Sequence, residues 1–82
     1  MNKLILRKAA GSFWIIMPEQ ASGYIQPLQV NEGAAEIFRN LKSGKTVEET
    51  ALILSEGDSS LVNEIREDIT GFVHEVKQHF HL

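Results

Sequence analysis

The sequence predicts an α+β fold with a winged helix-turn-helix-like layout: a three-stranded antiparallel meander followed by three helices. Three observations carry this. The first thirty residues break into short β-branched and aromatic runs separated by Gly and Pro. From residue 31 onward, apolar residues recur at spacings of three and four. The joint between the halves, QVNEGAAEIF (residues 29–38), sets a β-branched residue beside an Asn and then a small-residue helix start.

Each element has its own signal. LILR (residues 4–7) is a short apolar strand, broken by KAAG at Gly11. SFWIIM (12–17) is β-branched and aromatic, and Pro18 stops it. PEQASG (18–23) is loop chemistry closed by Gly23. YIQPLQV (24–30) is the third extended segment. Pro27 cannot donate to a sheet ladder, which predicts an edge strand. Asn31 is then the N-cap of helix one, with Glu32 in its first turn suiting the helix dipole. Ala34, Ile37, Phe38 and Leu41 share one face, and Gly44 stands where a left-handed C-cap belongs. TVEE is a capping box for helix two, with Thr46 capping and Glu49 reaching back. Val47, Thr50, Ala51 and Leu54 form its face, and Gly57 ends it. Helix three is predicted over residues 60–78, with Leu61, Ile65, Ile69, Phe72 and Val76 as its stripe.

Composition bounds the function classes. Eighty-two residues make a single domain spanning 1–82. The apolar fraction of 43% allows a modest core, and the absence of Cys removes disulfides and thiolate metal sites. A net charge of −3 argues against nucleic acid as a partner. No apolar run approaches the roughly 18 residues of a membrane span, and the start MNKLILRKAAG lacks a signal-peptide stretch. The expectation is a soluble cytoplasmic protein with no membrane partner.

Catalytic signals are missing. His74 and His79 sit five residues apart, about 140° around a helix, so they share no face. His79 and His81 fall at the chain's end and read as solvated tail residues. Glu64, Glu67, Asp68 and Glu75 read as a solvated helix face, and no phosphate-binding glycine pattern occurs. The expectation is a protein that is not an enzyme and holds neither cofactor nor metal. The winged layout raises DNA binding, with transcriptional regulation, as the alternative. Helix three carries four acidic residues against Arg66 and Lys77, which makes a poor duplex reader.

Helix three suggests a different partner. At about 100° per residue, Arg66 and Lys77 fall on one flank beside Val62 and Val73, while Glu64, Asp68 and Glu75 fall on the other. A wall formed by Arg66, Ile69, Val73 and Lys77, next to an edge strand at Tyr24, Ile25, Gln26, Pro27 and Leu28, would suit an extended peptide with apolar and acidic side chains. The strand edge would supply the backbone pairing. Phe13, Ile15 and Met17 alternate with Trp14 and Ile16, so both faces of the second strand are apolar. One face should meet the helices; a loop or another chain, as in a homodimer, should cover the other.

The chain resembles the PqqD family, the small proteins of pyrroloquinoline quinone biosynthesis and related recognition domains of peptide-modifying systems. The residues that carry the likeness span nearly the whole chain. They are the leading LILR, the aromatic strand, the joint at Val30, Asn31, Ala34, Ala35 and Ile37, and the turn at Gly44, Thr46 and Glu49. Asp68, Ile69 and Phe72 follow on the last helix. The resemblance implies a non-catalytic module that binds the leader of a ribosomally made precursor peptide. The module presents it to a modifying enzyme, often a radical S-adenosylmethionine maturase. It also implies that the leader adds as a strand to the third β-strand and lies against the third helix. The chain departs from the family in its polar SEGDSS segment, where many relatives carry an aromatic residue, and in its HFHL tail.

Overall fold

The computed structural model describes residues 2–20 and 23–82. Met1, and Ala21 and Ser22 of the expected 18–23 loop, lie outside the described residues. The element order is β1 (Ile5–Ala9), β2 (Ser12–Ile16), β3 (Leu28–Val30), α1 (Glu32–Lys42), α2 (Val47–Leu54) and α3 (Val62–Phe80). The strands form one antiparallel sheet in the order β1-β2-β3. The meander followed by three helices, with the third longest, is the predicted architecture.

The hairpin between β1 and β2 turns at Ala10 and Gly11, both with positive φ (52° and 78°), between the paired residues Ala9 and Ser12. Two left-handed residues in a two-residue loop match the right-handed twist of the strands, and this explains the Gly. The register pairs Leu6 with Ile15, Ile15 with Leu28, and Phe13 with Val30. Leu4, Ile15, Met17 and Val30 therefore share the buried face. Ile5, Trp14 and Ile16 stand half-buried on the other face.

The caps form as the sequence dictates. Asn31 Oδ1 accepts the Ala34 amide at 2.8 Å. Thr46 and Glu49 complete a reciprocal capping box at 3.0 and 2.9 Å. Gly44, at φ +101°, closes α1, with its amide on the Leu41 carbonyl and the Lys45 amide on the Asn40 carbonyl. At the end of α2 the left-handed turn takes two residues, Glu56 (φ 52°) and Gly57, where Gly57 alone was expected. The core joins the sheet's buried face to Ala35, Ile37 and Phe38 of α1, Ala51 of α2, and Ile69, Phe72, Val76 and Phe80 of α3.

β3 departs from expectation. The predicted extended segment covered residues 24–30, but only Leu28–Val30 pair in the sheet. Backbone groups upstream are committed elsewhere. The Gln20 side chain accepts the Ile25 amide and donates to the carbonyls of Met17 (2.9 Å) and Ile25 (3.3 Å). The Gln26 carbonyl is taken by His79. Pro27 holds Gln26 extended but offers no donor of its own.

Candidate functional site

β3 is an edge strand: it pairs with β2 alone, and among the described residues nothing pairs with its other side. Two contacts place α3 alongside that region. Near the C-terminal end of α3, His79 Nε2 lies 2.6 Å from the Gln26 carbonyl oxygen, just before β3. Toward its N-terminal half, Ile65, Asp68 and Phe72 share a cleft of about 370 Å³ with Asn31, Gly33, Ala34 and Ile37, just after β3, and with Leu54. The flank of α3 that runs beside residues 26–31 is therefore the one bearing Asp68, Phe72 and His79. These residues are four and seven apart, and so about one and two helical turns.

The residues of the predicted wall are not brought together beside the strand edge. Arg66, Val73 and Lys77 occupy the opposite flank. Arg66 reaches α2, where its Nε and Nη2 sit 2.5 and 2.9 Å from the two carboxylate oxygens of Glu48. Its Nη1 donates to Asn63 at 2.6 Å. The guanidinium hydrogen bond holds the Glu48 carboxyl below its ordinary range, and the same bond raises Arg66. Val73 is half-buried against the core, and Lys77 is exposed on the Arg66 side. Ile69 is 0% exposed, so it packs inside and offers a ligand no surface. Helix phase defines two shoulders to the apolar stripe. Which shoulder meets the sheet depends on the direction in which α3 crosses it, and no local pattern encodes that.

The strand-side residues divide. Leu28 belongs to the edge strand and is half-buried. Gln26 lies against α3 through His79. Ile25 has both backbone groups engaged by Gln20. Tyr24 is 75% exposed and lines a separate hollow with Met17, Gln20, Phe80 and Leu82. Pro27 is half-buried immediately before β3.

Sequence reasoning missed Gln20 and His79. His79 reads as a tail residue by position, yet it lies within α3, half-buried and edge-on to Phe80 with ring centroids 4.7 Å apart. The signal available was its phase, which it shares with Asp68 and Phe72. Gln20 sits in a stretch with no periodicity, and no pattern marks a clasp.

The cleft after β3 has an apolar lining of Ala34, Ile37, Leu54, Ile65 and Phe72 with Asp68 beside it, and the outer edge of β3 next to it is open among the described residues. Among the described residues, no three His, Asp or Glu side chains gather as metal ligands, and no helix is long and apolar enough to cross a membrane. Compared with known proteins, the chain matches no family model, no curated protein and no solved structure.

Proposed function

We propose that this chain is a non-catalytic, PqqD-like module that captures the leader of a ribosomally made precursor peptide by strand addition. It presents the leader to a modifying enzyme, such as a radical S-adenosylmethionine maturase, in the cytoplasm. The observation that carries this reading is the open edge of β3, with α3 reaching Gln26 just before it and an apolar cleft just after it where α1 starts. An unpaired edge is a template for another chain, and a neighbouring helix supplies pockets for alternate side chains.

Pairing is expected along Leu28–Val30, and Gln26 joins only if His79 lets go of its carbonyl. The winged-helix DNA-binding alternative gains nothing from the geometry, because Arg66 of α3 is committed to Glu48. The test is calorimetric titration with candidate precursor leader peptides, together with amide chemical-shift mapping. Perturbations should fall on Leu28–Val30 and on the Asp68, Phe72 and His79 flank. Binding that moves α1 and α2 while β3 stays silent would rule out strand addition. Retardation of random duplex DNA at micromolar protein would favour the alternative.

A further inference from the structure

We propose that the occupant of the β3–α3 groove is a basic peptide, with Lys or Arg recurring among apolar residues on the side that faces α3. The inference rests on the peptide-binding reading and fixes the chemistry of its ligand. It reverses the acidic ligand expected from the sequence, because the flank of α3 beside β3 is the acidic one.

Three observations converge. First, Asp68 lines the cleft together with Phe72 and Ile65, so its carboxylate borders an apolar floor. Glu64 and Glu75 are exposed on the same flank, one turn before Asp68 and two turns after it. Second, the helix cations are paired elsewhere or, in the case of Lys77, stand exposed on the far flank of α3. Arg66 is held by Glu48 on α2. Arg39 lies over the Phe13 ring, and Lys42 donates to the Leu4 carbonyl. Third, the α1 N-terminus at Asn31 and Gly33 opens into the cleft, and its dipole by itself would welcome an anion. That end is equivalent to only about half a positive charge, whereas Glu32 in its first turn and Asp68 across the cleft carry a full negative charge each. The balance stays negative.

Spacing fits an extended ligand. Glu64 and Asp68 are about 6 Å apart along the helix axis, close to the two-residue repeat of a strand at about 3.3 Å per residue. Lys and Arg suit such a rim because their stems can lie on apolar surface while their heads reach the carboxylates.

The test selects binders to the full chain from a displayed library of random 15-residue peptides. Enriched peptides are then synthesised, titrated at low and high salt, and mapped by amide shifts. Lys and Arg should be enriched at alternate positions, and the bound peptides should perturb Leu28–Val30 and the Asp68 flank. Asp68→Lys combined with Glu75→Lys should weaken these peptides about tenfold at low salt, with the difference shrinking as salt rises. Arg66→Glu combined with Lys77→Glu should leave affinity within about twofold, since that flank faces α2. Thermal melts verify that both pairs of variants fold. Peptides that map to the groove but are acidic, or show no charge preference, overturn this inference and leave the peptide-binding reading standing. A library that yields no groove binder overturns both.

Discussion

At Ala10 the backbone holds an alanine at φ 52°, in the region that favours Gly or Asn. The hairpin demands this because both residues of the two-residue loop must be left-handed. Ala10→Asn should therefore stabilise the protein by on the order of 1 kcal/mol, read as a shift in the denaturant midpoint. Asn31 works in the opposite sense. It satisfies the Ala34 amide, so Asn31→Ala should cost about 1 kcal/mol. Peptide affinity should survive in that variant, and its loss in a folded variant would give Asn31 a second role. Charge adds a pH dependence. Hydrogen bonds hold the carboxyls of Glu48 (from Arg66) and Glu49 (from Thr46) below the ordinary glutamate value near 4.5. A carboxyl lowered in the folded state binds protons less readily there than in the unfolded chain. Its contribution is thus complete above the unfolded value and is lost as pH falls through the folded one. Stability should decline below about pH 4.5, and Glu48→Gln should flatten part of that decline in acid denaturation curves.

Among the elements, β3 and the segment before it decide how much strand edge stands open. The Gln20 clasp holds the amide and carbonyl of Ile25, which keeps residues 24–26 from extending the strand. Gln20→Ala should release that amide, and its hydrogen exchange should accelerate while amides in the middle of α3 keep their protection. Exchange unchanged at Ile25 would show that the clasp is not formed in solution. The helices were legible because their signals are local. The two polar-capped starts and the Gly44 stop appear at the expected residues. α3 begins at Val62 without a side-chain cap, two residues later than periodicity suggested, and runs on to Phe80. Leu61 stands at the N-cap position and has no side-chain acceptor, so no polar cap marks the start.

The molecule as a whole separates residues that hold the fold from residues that stand in solvent. Ile69 is fully buried between sheet and helices, and Ile69→Ala should cost about 2–5 kcal/mol in denaturation. Leu52, an equally apolar residue, is 58% exposed on α2, so Leu52→Ser should change stability by less than about 0.5 kcal/mol. An Ile69 variant that kept full stability would mean the core is drawn wrongly. In a domain of this size a loss at Ile69 removes much of the net stability, so weakened binding there would report unfolding. The groove is better probed at exposed Asp68 than at any core position.

The sequence by itself determined the elements, their order, the caps and the inward stripe of each helix. Those features follow from neighbours one to four residues apart: Asn31 with Ala34, Thr46 with Glu49, and Ile65 with Ile69 and Phe72. It also placed a strand ahead of Asn31 and, through Pro27, marked that region as a sheet edge. Three matters were decided only in three dimensions. Gln20 and His79 shortened β3 by taking backbone groups at Ile25 and Gln26, and His79 lies 53 residues from its partner. Ile69, on the predicted inward stripe, keeps no exposed surface at all and so cannot also serve the wall expected to face a peptide. The acidic flank of α3, not the basic one, came to lie beside the strand edge. Periodicity fixes how a helix is patterned around its own axis. The direction in which that helix crosses a sheet is set by the simultaneous burial of all the stripes, and only the packed molecule carries that information.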